Sequence, residues 1–349
     1  MMTRPAALLC GFLGVLSAAA AQAQTSVPYS ADPAWVAAAK REGKVVFYTT
    51  WIVDQLAQPM FNEFEKRFPG IKVEYVRGDS NQNLMKMITE KKANATQSDV
   101  WSLSAGIGEL AKVDGAAKLD LPSAKEITDD FKDRNGLWVA TYSVVHAPAY
   151  NTNMVAAKDV PKTYDDLLDP KWKGKLVWKR GDTTGSSGFI ANILLAYGDQ
   201  KGRDYLAKLG KQNIIGYSGS VRALMDNIIA GEYALGLQMT NVHAVLSAAK
   251  GAPVKWVPVD PVAMSMTSIG ISKDARHPNA ARLFVDFVIS RAGQTLMKDL
   301  GYLPVHPDVP AQYPELKPEQ GGFKGNVIRP DAIDANLAKW MDIEKELFP

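Results

Sequence analysis

The sequence predicts an α/β protein of two lobes, each a mostly parallel sheet flanked by helices, with a ligand cleft between them. Three observations carry that expectation. Short β-branched and aromatic runs alternate with amphipathic helical runs, the order of a parallel sheet covered by helices. The alternation occurs twice, with apolar crossing segments between the two sets. The chain's 349 residues, 46% hydrophobic and 22% charged, suffice for two ordinary cores.

In chain order, "MMTRPAALLCGFLGVLSAAAAQAQ" comes first: one cation, Arg4, then an apolar stretch from Ala6 to about Ala20, then small residues ending "AQA". That is the pattern of a secretory signal peptide over residues 1–23, cleaved near Ala23. Cys10, the single cysteine, lies inside it, and Leu9 before it argues against a lipoprotein signal. The mature chain is therefore expected in the periplasm without disulfides or thiolate chemistry. No later run of 18 apolar residues occurs, so no span is expected after export.

"DPAWVAAAKREGK" reads as a helix, "KVVFYTT" (44–50) as a strand, and "DQLAQPMFNEFEKRF" as a helix starting near Asp54. "IKVEYVRG" (71–78) is the next strand. The helix "SNQNLMKMITEKKA" follows, with Ser80 or Asn81 as its cap and Leu84, Met87 and Ile88 on one face. "SDVWSLS" (98–104) and "GIGELAKVDG" complete the first set. "GLWVATYSVVHAPAYN" (136–151) crosses to the second. There the order is a strand in "KGKLVWKR", a helix after "TTGSSGF", the strand "IIGYSGS", the helix "VRALMDNIIAGE", the strand "YALGLQM", the helix "NVHAVLSAAKG" and "PVKWVPVD". "AMSMTSIGISKDA" crosses back to an amphipathic helix pair, "HPNAARLFVDFVISRAGQTLMKDLG". Lobe one is thus expected over 25–142 plus 266–349 and lobe two over 143–265, with hinges near 141–146 and 262–270.

Composition excludes little else. The net charge of +3 without a Lys/Arg block gives no reason to expect a nucleic-acid partner. His146, His243, His277 and His306 stand far apart or singly, without metal-ligand spacing, so neither metal nor cofactor is expected.

Ligands of open α/β sheets bind beyond the carboxyl ends of the strands, which selects the candidate contacts. Thr50 and Trp51 follow the first strand, Ser80 the second and Ser104 the third. Trp51 offers a ring to cover an apolar or cationic ligand part, or else anchors lobe packing. The loop "KRGDTTGSSGF" supplies Arg180, Thr183, Thr184, Ser186 and Ser187. Hydroxyls and backbone N–H groups opening a helix favour a carboxylate, phosphate or phosphonate. A simple capped turn is the alternative. Arg180 and Arg222 are candidate anion partners or surface charges. Thr240, Asn241 and His243 interrupt the apolar run "LGLQMTNVHAVL" where a strand passes into a helix. The loop lacks both the Walker ending and the Gly-x-Ser-x-Gly spacing, and no His–Asp pair supports a nucleophile, so an enzyme is not expected.

The motifs "EGKVVFYTT", "FEKRFPGIKVEYVRGDS", "SDVW", "AYNTNMV", "DVPKTYDDLLDPKWKGKL", "AGEYALGL", "KGAPVKWVPVDP", "HPNAARLFVDFVISRAGQ" and "GYLPVHPDV" run from about residue 42 to 309. In this order the chain resembles the periplasmic solute-binding proteins of ABC importers, in the branch that holds the ferric-iron-binding proteins. The resemblance implies a type II-like two-lobed periplasmic binding protein, monomeric, that closes on a small ligand and delivers it to a membrane permease. It also implies that a ferric binder would carry two tyrosines at about Asn241 and Val242, where this chain has none. Ferric iron wants phenolate and carboxylate oxygens, so the expected cargo is a small organic anion. A ferric carrier with a non-tyrosine site, a periplasmic ligand sensor and a secreted hydrolase are the alternatives.

Overall fold

The computed structural model describes residues 27–181 and 183–349; the leader, with Cys10 and the expected cleavage near Ala23, lies outside them. Helix α1 (Pro33–Glu42) has Pro33 in its first turn and Asp32 as its cap, whose side chain accepts from Ala34 N at 2.7 Å. It stops at Gly43, whose left-handed φ of 76° a side chain would strain. Then β1 (Lys44–Thr49), a π turn over Val53–Ala57, α2 (Gln58–Arg67), β2 (Lys72–Arg77), α3 (Ser80–Lys92), β3 (Val100–Leu103) and α4 (Ile107–Lys112) follow as the pattern predicts. The cap of α3 is a correction: it is Asp79, not Ser80 or Asn81. Its carboxyl accepts from Gln82 N at 2.8 Å while the Gln82 side chain accepts from Asp79 N at 3.0 Å.

The crossing segment is one 13-residue strand, β4 (Val139–Asn151). Lobe two continues with β5 (Leu176–Lys179), α5 (Ser186–Tyr197), α6 (Asp199–Gly210), β6 (Ile215–Tyr217), α7 (Val221–Ala230), β7 (Leu235–Thr240), α8 (Asn241–Ala248) and β8 (Val254–Trp256). Helix α6 was not legible in the sequence because Gly202 interrupts its pattern. Gly202 is there for packing: a Cβ would lie 2.9 Å from Leu194 Cδ2 on α5. The return strand is β9 (Val262–Ile271), followed by α9 (Pro278–Ile289), α10 (Arg291–Asp299), β10 (Leu303–Pro304), α11 (Pro318–Gly321), β11 (Gly325–Val327) and α12 (Pro330–Leu347). Asn279 stands in the first turn of α9, where Glu42 of α1 accepts from its backbone and side-chain amides and from Ala280 N.

The strands form one continuous hydrogen-bonded path, β2-β1-β3-β9-β4-β7-β5-β6. Its wings are parallel, β2-β1-β3 in lobe one and β7-β5-β6 in lobe two. Its middle is antiparallel, because β9 and β4 cross between the lobes in opposite directions. The two expected hinge segments lie against each other there, Tyr142 opposite Thr267 and His146 opposite Ala263. The parallel wings therefore turn their carboxyl ends toward one cleft.

Each lobe buries its own apolar cluster. The first interlocks phenylalanines, with Phe284 5.5 Å from Phe47 and 5.1 Å from Phe64 between ring centres. The second is built on Trp172, Trp178, Phe189 and Tyr205. Helix α12 departs from the expected boundary at 266–349. Its Trp340 and Ile343, with Phe348 beyond its end, join the second cluster, the Phe348 ring lying 4.6 Å from Trp178. Yet Asp334 on the same helix accepts from Gly106 N at 2.5 Å and Gly108 N at 2.9 Å, at the start of α4 in lobe one. The helix thus ties the lobes together.

Candidate ligand cleft

In lobe one the strand ends are joined by hydroxyls. Thr50 N donates to Ser102 Oγ at 2.8 Å, and the Thr50 and Ser102 hydroxyls are 3.1 Å apart. Ser104 N donates to Ser80 Oγ at 3.0 Å. Thr50, Ser80 and Ser104 thus form a half-buried polar ridge, supported beneath Thr50 by the fully buried Ser102, which the sequence did not single out. Trp51 is different. Its indole is buried in the lobe-one core, edge-on to Phe47 at 5.1 Å, so the packing role holds in this structure and the ligand-cover role does not. The next residue, Ile52, points outward instead and is 49% exposed.

In lobe two the loop before α5 is spent largely on itself. Ser186 and Ser187 are fully buried. Ser186 Oγ donates to Glu344 Oε2 of α12 at 2.6 Å and accepts from Gly181 N at 2.9 Å; Ser187 Oγ donates to Gly181 O at 2.8 Å. Both were expected to touch ligand; both hold the loop shut. Thr183 and Thr184 lie half-buried at its edge. Arg180 is exposed, with its side chain across Gly216, where a Cβ would collide with the guanidinium. Arg222 is committed to Asp226 at 2.5 Å and to Ser247 Oγ at 3.3 Å. Gly188 admits Gln238 beside the loop: a Cβ would stand 2.8 Å from Gln238 Nε2. Among the described residues that buried amide nitrogen has no partner.

The junction of β7 and α8 is built otherwise. Thr240 caps α8 by position, but its hydroxyl makes no cap bond. Asn241 is fully buried; its Oδ1 accepts from Ala147 N at 2.7 Å, tying α8 to the crossing strand, while its Nδ2 has no partner among the described residues. His243 Nδ1 is likewise buried without a partner. Burial pushes its pKa below the usual histidine value and nearby Arg222 pushes the same way, against the opposing pull of Asp226, so the imidazole is neutral at pH 7.

A cavity of about 500 Å³ opens at this junction. Thr240, Val242, His243 and Leu246 form one wall, Ile52 and Gln55 of lobe one another, and residues 142–145 of β4 the floor. Residues 299–303 and 311–313, with Leu316, close the remaining side, bringing Tyr302 and Tyr313. Tyr142 and Tyr302 meet edge to face at 4.8 Å, and burial pushes both phenols well above their ordinary pKa. Of the twelve residues selected from sequence, Thr240 and His243 line the cavity. Gln55, Tyr142, Tyr302, Leu246 and the buried Gln238 were missed. The one local signal among them was Tyr142, a polar ring inside a predicted hinge.

Among the described residues no group of three or more His, Cys, Asp or Glu side chains is gathered to hold a metal ion. His277 pairs with Asp99 at 2.7 Å, His306 with Glu126 at 2.9 Å and His146 with Ser265 at 2.8 Å.

Residues 59–320 match the family described as bacterial extracellular solute-binding protein. The chain belongs to that family. Members of this solute-binding family serve ABC importers as periplasmic components, and this protein is a substrate-binding component of that kind. It is 24% identical over 298 residues to a putative 2-aminoethylphosphonate-binding periplasmic protein of Salmonella typhimurium, covering 83% of this chain and 84% of that one. The fold is similar to that of a Trichodesmium protein (IdiA, FutA) in complex with iron and citrate: TM-score 0.74, 19% identity, 87% of this chain and 99% of that one. It is also similar to the periplasmic binding protein AfuA of Actinobacillus pleuropneumoniae with fructose-6-phosphate bound: TM-score 0.67, 23% identity, again 87% and 99%. These solute-binding proteins share a two-lobed frame and differ in cargo, so the cargo has to be argued from side chains. No helix among the described residues is long and apolar enough to cross a membrane.

Proposed function

We propose that this solute-binding protein is exported to the periplasm, captures a small organic anion between its lobes as a monomer, and delivers it unchanged to the permease of an ABC importer. One observation carries the ligand class. The buried amides left unpaired at the lobe-two strand ends, Gln238 Nε2 and Asn241 Nδ2, are both donors. Unpaired buried donors are costly, and an acceptor-rich ligand satisfies them. The uncapped start of α8 adds partial positive charge. The lobe-one ridge of Thr50, Ser80 and Ser104 supplies hydroxyls from the opposite side, so only a closed form engages both. Bending at the paired β4 and β9 segments would bring the two together, which is how differential affinity drives closure. A ferric site is disfavoured because the family's tyrosine pair is replaced by Asn241 and Val242, and the one carboxylate lining the cavity among the described residues, Asp299, is ion-paired with Lys298.

Calorimetry on the mature chain with organic carboxylates, phosphonates and ferric citrate tests this reading. We expect at least one metal-free organic anion to bind and to be recovered intact. Binding of ferric ion alone would sink the proposal. Replacing Asn241 by Asp keeps the acceptor for Ala147 N but adds a negative charge, and should weaken anion binding by about tenfold or more.

A further inference from the structure

The walls of the cavity say more about the cargo than its charge. Most of its lining is aliphatic or aromatic, and among the described residues no Lys or Arg reaches it. Its one carboxylate, Asp299, is ion-paired with Lys298 at 2.9 Å. Ile52 on the lobe-one side and Leu246 on the lobe-two side are 49% and 38% exposed, two large apolar side chains facing one opening from opposite lobes. The volume of about 500 Å³ lies in the range that ordinary organic ligands fill and far exceeds what a single ion needs. Polar groups are confined to a few points, among them the Thr240 hydroxyl, the neutral His243 imidazole and the amides of Gln55 and Gln312.

Resting on the reading above, we propose that the cargo is a monocarboxylic acid with an apolar, ring-sized body, rather than a sugar phosphate, an aminoalkylphosphonate or a metal–anion complex. A doubly charged phosphoryl group calls for guanidinium or ammonium partners, and among the described residues neither lines this cavity. A sugar would need polar partners along its whole length, whereas here it would meet Val242, Leu246 and Ile52. A single carboxylate is within the means of the polar end at Thr240 and His243. An apolar ring would cover Ile52 and Leu246 and release the water now against them, which is where the affinity would come from.

The test compares ligands that share a head group. Phenylacetate against acetate reports the body; inorganic phosphate, 2-aminoethylphosphonate and fructose 6-phosphate report the head. Titration calorimetry on the mature full chain should show phenylacetate binding at least about tenfold more tightly than acetate, with the three phosphorus compounds weaker than phenylacetate. Leu246→Asp and Ile52→Asp, at exposed positions, should each cut phenylacetate affinity about tenfold or more while leaving the melting temperature within a few degrees. Equal affinity for phenylacetate and acetate overturns the inference, as does indifference to both substitutions. Binding of a phosphorus compound with no response to phenylacetate also overturns it but leaves the anion carrier standing. No response to any of these acids, with ferric ion bound, removes both.

Discussion

Helices α5 and α8 begin at the ends of adjacent parallel strands, β5 and β7, and both starts are rich in hydroxyl and amide groups. Their fates differ. The start of α5 is filled from within the chain: Glu344, 158 residues away from Ser186, accepts from its hydroxyl and from Gly181 N. Among the described residues the start of α8 receives no such group: Asn241 Nδ2 and His243 Nδ1 are left without a partner, and Thr240 and His243 line a cavity. A polar helix start is an anion site only where no carboxyl of the same chain has reached it first.

The largest expected effect breaks the closed member of this pair. Glu344→Ala leaves the buried Ser186 hydroxyl without its acceptor, while Gly181 N keeps Ser186 Oγ, and should cost about 2 kcal/mol in chemical denaturation. Glu344→Gln, which keeps an acceptor oxygen, should cost distinctly less. If alanine and glutamine behaved alike and near wild type, the α5 start would not depend on this bond.

A smaller effect is expected from the other end of α12. Asp334→Ala removes the acceptor for two backbone N–H groups opening α4, worth about 1 kcal/mol by the scale of helix caps. Because that contact joins the lobes, the variant should also exchange amide hydrogens faster around residues 106–108.

The smallest sharpens the open member. His243 resists protonation in the folded chain, whereas in the unfolded chain it takes a proton near pH 6.5. Its contribution is therefore present above that pH and is lost as pH falls below it. His243→Gln should flatten the decline in melting temperature between about pH 6.5 and 5, a flattening that an equally steep profile would contradict.

Much of the fold was legible in the chain because strand and helix periods differ and because Gly and Pro mark their ends. The start of α1 at Asp32-Pro33 and its stop at Gly43 are local chemistry. Helix α6 was hidden because Gly202 serves a neighbour rather than its own helix. The candidate site was less legible. At the strand ends Thr50 bonds to Ser102 and Ser104 to Ser80, and none of these four lines the cavity. Trp51 and Ser186 went to packing, since what decides their role is a partner far away in sequence, Phe47 and the surrounding core for one and Glu344 for the other. Tyr302 and Leu246 carry no local mark of function and become cavity walls only when their segments fold back on β4 and α8.

By itself the sequence determined the alternation of elements, the two crossings, the family and the absence of a tyrosine pair at Asn241 and Val242, because each of these depends on residue type and spacing along one stretch. Only the tertiary structure decided which polar groups are satisfied and which are left waiting. Hydrogen-bond satisfaction is settled by neighbours across the fold, and α12, the last helix of the chain, closes one helix start and leaves the other open.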